Sequence, residues 1–174
     1  LDSAGNVIFS GRKVYNQDRD TFYTAKYAAA NGALLWQRES DGLDINSGAQ
    51  PDDVAVDSEG NAIVTGWTRN QIYTAKYAAG NGALLWERRY RGPGALGSYG
   101  GVVEVDHQGN AIVTCFSSGG GGGGNYDYYT AKYAAADGAL LWEKRYNGPS
   151  DGRDEPKSLA LDSAGNAIVT GFSV

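Results

Sequence analysis

The sequence predicts an all-β fold built from repeated units of four short antiparallel strands, because two phrases recur along its 174 residues. The first phrase, "LDSAGNVIFSG", begins at Leu1 and returns with few changes at Val56, Val105 and Leu161. The second, "YTAKYAAANGALLW", begins at Tyr23 and returns at Tyr73 and Tyr129. The Gly-Asn pairs of the first phrase are 55, 49 and 56 residues apart. A period of about 40 to 55 residues is typical of solenoids and propellers.

One period is predicted to contain four strands. "DDVAVD" (52–57) forms the first, "SEGN" turns the chain, and "NAIVTGW" (61–67) forms the second, which is rich in β-branched residues. "IYTAKYA" (72–78) alternates its side chains between two faces and forms the third, and "ALLWERRY" (83–90) forms the fourth. The Asn-Gly or Asp-Gly pair before each "ALLW" predicts a hairpin turn that needs positive φ, and it interrupts the alanine-rich stretch that would otherwise resemble a helix.

Repeated four-stranded antiparallel units predict the blades of a β-propeller. A stacked β-solenoid is the alternative, although solenoids usually repeat over shorter distances. We expect one propeller segment over residues 1–174, with approximate repeats 1–51, 52–100 and 101–156 and a partial repeat 157–174. About three blades and part of a fourth make an arc. We therefore expect either an excerpt of a larger ring or arcs that associate into one, and two copies would form a two-fold symmetric ring.

Several motifs resemble a known repeat family. "D-x-x-G-N-A-I-V-T-G", "Y-T-A-K-Y", "G-A-L-L-W" and "R-Y-N-G-P" together resemble the bacterial and archaeal seven-bladed β-propeller repeat family. "AADGALLWE" looks like the Trp-docking turn of propeller repeats of the pyrroloquinoline-quinone type. The tryptophans of "ALLW" are expected to pack between blades rather than stack on a cofactor. The resemblance itself implies the fold and an extracellular or periplasmic location. It also suggests an alternative, a quinoprotein-like or other ligand-binding enzyme propeller, although the adjacent cysteine pair of many quinoproteins is missing.

Composition narrows the classes of partner. The net charge of −5 argues against nucleic-acid binding and against a polybasic membrane anchor. No apolar run approaches the length of about 18 to 20 residues that spans a bilayer, so direct membrane insertion is not expected. The single cysteine, Cys115, excludes an internal disulfide framework. It stands where the other repeats have glycine, and we expect a small buried thiol on a strand.

Any binding surface is expected on the face that carries the variable loops. The turns between strands one and two and between strands three and four are nearly constant, whereas the other connections diverge, and binding residues favour such loops. Tyrosine is enriched at protein interfaces, so the tyrosines in these loops are interpreted as a protein-contact surface. The alternative interpretation is that the aspartates of these loops form a solvated acidic rim. The candidate contact residues are Tyr15, Asp18, Asp20, Tyr99, Tyr126, Asp127, Tyr128, Asp151 and Asp154.

Two further loops contain features that resemble ligand-binding motifs. "DINSG" places Asp44 and Asn46 like the alternating oxygen ligands of a calcium loop, but the terminal bidentate Glu is missing, so calcium is only a weak candidate and no cofactor is expected. The run 119–124 of glycines is a flexible loop by composition, not a phosphate loop.

The predicted function is a non-catalytic β-propeller scaffold or binding module for protein–protein interaction, within a larger assembly or closed by self-association. No catalytic residue is assigned, since one histidine and one cysteine offer little for acid–base or nucleophilic chemistry. The recurring lysines of "TAKY" are expected to form cross-strand pairs with Gln37, Glu87 and Glu143.

Overall fold

The computed structural model describes residues 1–16, 19–40, 48–94, 96–119 and 125–174. They form an all-β fold of 13 strands in four antiparallel sheets, none of which closes into a barrel, and these residues contain no helix. The all-β prediction is confirmed. No described segment could therefore cross a membrane as a helix.

The four sheets follow the repeats. Sheet 1 contains β1 (Val7–Asn16), β2 (Arg19–Tyr27) and β3 (Leu34–Ser40), and sheet 2 contains β4 (Ala49–Val56), β5 (Ala62–Thr68), β6 (Gln71–Tyr77) and β7 (Leu84–Tyr90). Sheet 3 contains β8 (Ser98–Val105), β9 (Ala111–Ser118), β10 (Tyr126–Tyr133) and β11 (Leu140–Tyr146), and sheet 4 contains β12 (Glu155–Leu161) and β13 (Ala167–Phe172). In sheets 2 and 3 each strand pairs with the strand that follows it in sequence. The four strands predicted for one period are confirmed, with the first beginning earlier, at Ala49.

Glycine with positive φ closes the two kinds of turn, as the motifs predict. Gly60 has φ 81° in the turn between β4 and β5, and Gly82 has φ 67° in the turn between β6 and β7. The left-handed region costs an ordinary L-residue free energy that glycine avoids. The repeated Gly-Asn and Asn-Gly pairs therefore mark the turns directly in the sequence.

Consecutive sheets pack face to face. β4 contacts β1 and β2 of sheet 1, β8 contacts β4, β5 and β6 of sheet 2, and β12 contacts β8, β9 and β10 of sheet 3. Two apolar cores fill the spaces between the sheets, one between sheets 1 and 2 around Phe22, Trp36 and Tyr73, the other between sheets 2 and 3 around Trp86, Val113 and Tyr129. Inner strands such as β5 are consequently buried on both faces.

The single cysteine sits at an irregularity in sheet 3. Gly66 in β5 and Gly171 in β13 occupy the same repeat position, and a Cβ on either would lie 2.8 Å from the Cα of a proline on the first strand, Pro51 or Pro156. Cys115 occupies the same repeat position in β9. Its side chain fits because the facing part of β8 consists of Gly100 and Gly101, where the β8–β9 ladder is interrupted. The thiol is buried, as predicted.

Candidate functional site

A recurring polar network organises the end of the sheets that carries the short turns, here called the turn end. In the second repeat, Asp57 accepts hydrogen bonds from the backbone N–H of Glu59 and Asn61 and from the Asn61 side chain, at 2.9 to 3.0 Å. Lys76 Nζ lies 2.8 Å from the same carboxylate, and both side chains are buried. Burial alone would raise the pKa of Asp57, but the hydrogen bonds from Lys76 and Asn61 hold it below its ordinary value.

The same lysine and the following tryptophan connect each sheet to the next. Lys76 Nζ and Trp86 Nε1 both donate to the Ala135 carbonyl of sheet 3, at 3.1 and 3.2 Å. In the preceding repeat, Lys26 and Trp36 make the same pair of bonds to Ala79, each at 3.0 Å. Trp36 and Trp86 are 5% exposed, which confirms that these two tryptophans pack between successive repeats.

The predicted partners of the "TAKY" lysines were therefore wrong. Lys26, Lys76 and Lys132 pair with Asp2, Asp57 and Asp106, at 2.6 to 2.8 Å. Residues 37, 87 and 143 instead accept hydrogen bonds from the Tyr23, Tyr73 and Tyr129 hydroxyls. The reason is geometric: the turn aspartate approaches the lysine from a neighbouring hairpin, and this proximity is not evident from spacing within one strand pair.

A cavity of about 420 Å³ opens at the turn end between sheets 2 and 3. Asp57 and Lys76 line it, and the turn at His107 lies across from them. Sequence reasoning did not anticipate this cavity, because its walls are turns about 50 residues apart. Lys76 already pairs with Asp57 and donates to the Ala135 carbonyl. The residues left to contact a ligand in this cavity are therefore mainly the exposed polar residues of the turns.

The opposite, loop-bearing end presents what we call the aromatic cluster, formed by Trp67, Tyr99, Phe116 and Tyr126. Trp67 and Tyr99 meet edge to face with ring centroids 5.2 Å apart, and Phe116 and Tyr126 do so at 5.4 Å. Tyr99 joins the two pairs, 6.0 Å from Phe116 and 6.3 Å from Tyr126. All four residues are partly exposed, and Trp67 also packs against the core between sheets 2 and 3.

Arginines border the aromatic cluster. The Arg153 guanidinium lies 5.9 Å from the ring centroids of both Phe116 and Tyr126, within the range of a cation–π contact. Arg153 also pairs with Glu155, yet its side chain remains 55% exposed. Burial and Tyr126 raise the pKa of the Tyr99 hydroxyl, and Arg91 acts in the opposite direction. Two cationic side chains therefore accompany the exposed part of the cluster.

A polar network around Asp127 and Asp154 supports the aromatic cluster. Arg145 donates to the Asp127 carboxylate at 2.7 Å and to the carbonyls of Ser117 and Ser118 at 3.2 and 3.3 Å. The Asp154 carboxylate accepts from the backbone N–H of Gly148, while its own N–H donates to the Tyr126 carbonyl, both at 2.6 Å. These bonds join β10 to the loop that precedes sheet 4, which fixes the position of Tyr126.

The structure brings some of the predicted contact residues together and separates others. Tyr99 lies on β8, Tyr126 and Asp127 are the first residues of β10, and Asp151 and Asp154 lie in the loop that precedes sheet 4. Asp127 and Asp154 are buried, 5% and 0% exposed, so they hold this end of the sheets in place instead of facing a partner. Asp151 is exposed and accepts from the side-chain amide of Asn147.

Tyr128 follows Tyr126 by two residues and therefore lies on the same face of β10, opposite Phe116 of β9. Its hydroxyl donates to the Phe172 carbonyl at 3.2 Å, and it lines a 330 Å³ pocket together with Tyr146 and Val169. Tyr15 and Asp20 are on sheet 1, where the Tyr15 hydroxyl donates to Glu39 and Asp20 pairs with Arg12.

Several of the predicted loop residues lie outside the described residues, namely Asp18, Asp44, Asn46 and the glycines at 120–124. Within the described part of the chain, His, Cys, Asp and Glu side chains form no group of three or more that could hold a metal ion. Trp67, Phe116 and Arg153 were not among the residues predicted from the sequence. A signal for the first two was present, since the residue after "AIVTG" or "AIVTC" is aromatic in every copy.

Comparison with known proteins finds a similar fold but indicates no activity. No protein-family model matches the chain, and no curated protein matches it. Among solved structures, the chain is similar to a protein of unknown function from Bacteroides caccae, with 15% sequence identity and a TM-score of 0.54. The match covers 93% of this chain and 53% of that protein, so the chain spans about half of its length. At this identity the similarity concerns the fold alone.

Proposed function

We propose that this chain is a β-propeller segment of the seven-bladed repeat kind that acts as a non-catalytic scaffold and binds a protein through its loop-bearing end. The stacking of the sheets supports the propeller arrangement. Each sheet places its first strand against the preceding sheet, as blades around a common axis would. The turn-end bonds from Lys and Trp to the next sheet repeat with the same period, as blade-to-blade contacts would.

The aromatic cluster is the observation that carries the binding role. Trp, Tyr and Arg are the residue types that most often dominate the binding energy of protein interfaces, and they act best when clustered and well packed. Trp67, Tyr99 and Tyr126 lie together beside Arg153. The network around Asp127 fixes Tyr126, and the Tyr99 hydroxyl donates to Asn70 and to the Leu96 carbonyl, so these two rings are held before any partner arrives. Such preorganisation lowers the entropic cost of binding.

The chemistry of the surface indicates the kind of partner. Arg91 and Arg153 are exposed beside the rings although the chain as a whole is acidic. A peptide segment with an apolar or aromatic side chain next to a carboxylate would match both features. We place this encounter outside the cytoplasm, in accordance with the family resemblance.

A library of random peptides tests this function even though the partner is unidentified. Random 12-residue peptides displayed on phage would be selected on the immobilised chain and then measured on the double variant Tyr99→Ala/Tyr126→Ala. We expect the selected peptides to contain aromatic and acidic residues and to bind the double variant about 30-fold more weakly, as the loss of a hot spot implies.

The matched control is His107→Ala at the turn end, which should leave peptide binding unchanged. Circular dichroism would confirm that both variants remain folded. Equal peptide binding by the wild type and the folded double variant would show that the loop-bearing end is not the binding surface.

A further inference from the structure

The four copies of the five-residue turn in the first phrase differ only in their two middle residues. The first and fourth copies read "DSAGN", the second reads "DSEGN" and the third reads "DHQGN". The aspartate, glycine and asparagine are constant because they make the turn: the carboxylate accepts from the turn backbone and from the asparagine, and the glycine has positive φ. The middle residues are therefore free to vary, and the departures from Ser-Ala are Glu59, His107 and Gln108.

All three departures line one cavity, the space of about 420 Å³ between the turns of sheets 2 and 3. Each of these sheets has a neighbouring sheet on both sides, so the cavity lies between two inner sheets. A Cβ on Gly60 would lie 3.9 Å from the Asp2 carboxylate, whereas a Cβ on the equivalent Gly109 would meet only Ala135 within 4 Å. The turn of sheet 3 therefore lies further from Asp57 than the turn of sheet 2 lies from Asp2, and the cavity has the volume of a small-ligand site.

The floor of the cavity carries no net charge. Lys76 Nζ lies 2.8 Å from the Asp57 carboxylate, and the two side chains are 5% and 3% exposed. Lys76 also donates to the Ala135 carbonyl at 3.1 Å. Both Asp57 oxygens are occupied, because Oδ1 accepts from two backbone N–H groups of its turn and Oδ2 accepts from the Asn61 side chain and Lys76. A ligand at this floor would therefore meet an ion pair whose charges compensate each other.

The walls of the cavity carry one uncompensated charge and two neutral acceptors. Glu59 Oε2 accepts a hydrogen bond from the Asn61 side chain at 3.1 Å, which holds the carboxylate beside the cavity, and within the described residues no cation pairs with Glu59. His107 and Gln108 are exposed, and each can present an acceptor, the imidazole nitrogen without a proton and the amide oxygen. An anion would be repelled by Glu59, whereas a cation would find acceptors on both walls.

We propose that this cavity binds a small organic cation through a primary ammonium group. Such a group has three N–H donors, and Glu59, His107 and Gln108 supply three acceptors for them. Hydrogen bonds that involve ionised groups are roughly twice as strong as neutral ones, so Glu59 contributes most of the affinity. The site lies at the turn end, and this inference is independent of the peptide-binding function proposed for the loop-bearing end.

The same residues predict which ligands the cavity rejects. A quaternary ammonium has no N–H to donate, and proteins usually bind it within a cage of aromatic rings. The described residues that line the cavity include no Phe, Trp or Tyr, so this kind of recognition has no basis there. An uncharged alcohol keeps its hydrogen bonds but loses the attraction to the Glu59 carboxylate. We therefore expect a primary amine to bind better than either.

Proton NMR tests the proposal directly, because His107 is the single histidine of the 174-residue chain. Cadaverine, a five-carbon diamine, should shift the His107 imidazole resonances in a saturable manner, with a dissociation constant of about 1 mM, the order expected of so small a ligand. Pentanediol of the same chain length and choline should leave these resonances unchanged. A blocked Gly-Lys-Gly peptide tests the second source of a primary ammonium group, a lysine side chain of another protein.

Three variants separate the contributions of charge and hydrogen bonding. Glu59→Gln keeps an acceptor for Asn61 and removes only the charge, so it should weaken cadaverine binding about 30-fold in the same NMR titration, the loss of one charge-assisted hydrogen bond. Asp151→Asn removes the same charge at the loop-bearing end and should have no effect. His107→Ser/Gln108→Ala restores the middle residues of the first and fourth turns, so the turn is retained while the imidazole and the amide are lost. We expect calorimetry to show binding about 10-fold weaker in this variant.

The proposal is overturned if neither cadaverine nor the lysine peptide shifts the His107 resonances, or if pentanediol shifts them at the same concentration. It is also overturned if Glu59→Gln binds cadaverine as tightly as the wild type does. Tighter binding of the lysine peptide would identify the natural ligand as a protein, and tighter binding of cadaverine would identify it as a free amine. Tyr99→Ala/Tyr126→Ala should leave cadaverine binding unchanged, so the turn-end site and the peptide-binding function can fail separately.

Discussion

At the level of single residues, the buried Asp–Lys pairs show how a short motif acquires a long-range role. Lys76 satisfies a turn carboxylate in its own sheet and a carbonyl in the next sheet with the same ammonium group. An ion pair removed from water gains little net free energy, because desolvation offsets the Coulomb attraction. Loss of one partner is costly, however, since it leaves a buried charge unpaired.

Lys76→Ala should therefore destabilise the protein by about 3 kcal/mol, because Asp57 remains buried without its cation. Urea denaturation monitored by fluorescence would measure the change. Lys157→Ala is the matched control, since Lys157 pairs with Glu155 but is 61% exposed, and surface pairs contribute about 0 to 1 kcal/mol. Equal losses for the two variants would contradict the structural role of the buried pair.

At the level of elements, the hairpin turns at Gly82 and Gly138 both reverse the chain and receive the tryptophan of the preceding sheet. A Cβ on Gly138 would lie 2.8 Å from the Trp86 ring, so this turn has no room for a side chain. Glycine is thus required at Gly138 twice, for its φ of 71° and for the approach of the indole. The turn and the tryptophan are parts of one contact, although they lie about 50 residues apart.

Gly138→Ala should cost about 3 kcal/mol, of which about 1 kcal/mol is left-handed backbone strain and the rest is displacement of Trp86. Gly165→Ala isolates the strain, because Gly165 has φ 80° and a Cβ there meets no atom within 4 Å. We expect it to cost about 1 kcal/mol. Thermal unfolding of the two variants gives the difference, and equal costs would exclude the packing contribution.

At the level of the whole molecule, stability should be uneven along the stack of sheets. The two apolar cores lie between sheets 1 and 2 and between sheets 2 and 3, so among the described residues sheet 2 alone has a core on each face. The residues of β13 are partly or fully exposed, whereas those of β5 are almost all buried. Local opening requires the least free energy where few buried contacts are lost.

Amide hydrogen exchange measured by mass spectrometry should therefore be slowest in β5, β6 and β9 and fastest in β13. Uniform protection across the sheets would contradict this gradient.

The sequence by itself determined the strands, the turns and the repeat. β-branched runs, alternation and Gly-Asn or Asn-Gly pairs act over a few residues, so the all-β fold and the four-strand period could be predicted from local pattern alone. The loop-bearing end was also identified correctly as the end with divergent connections, and Tyr99 and Tyr126 were named there. Local physics is sufficient for such features because the interacting groups are neighbours in the chain.

Only the tertiary structure decided which side chains meet across sheets. The pairing of Lys76 with Asp57, the burial of Asp127 and Asp154, and the joining of Trp67 to Phe116 through Tyr99 all depend on how the hairpins and sheets pack together. The same holds for Cys115, whose side chain fits because two glycines lie opposite on another strand. Contacts between residues far apart in sequence are set by the packing of whole sheets, and no single stretch of the chain contains that information.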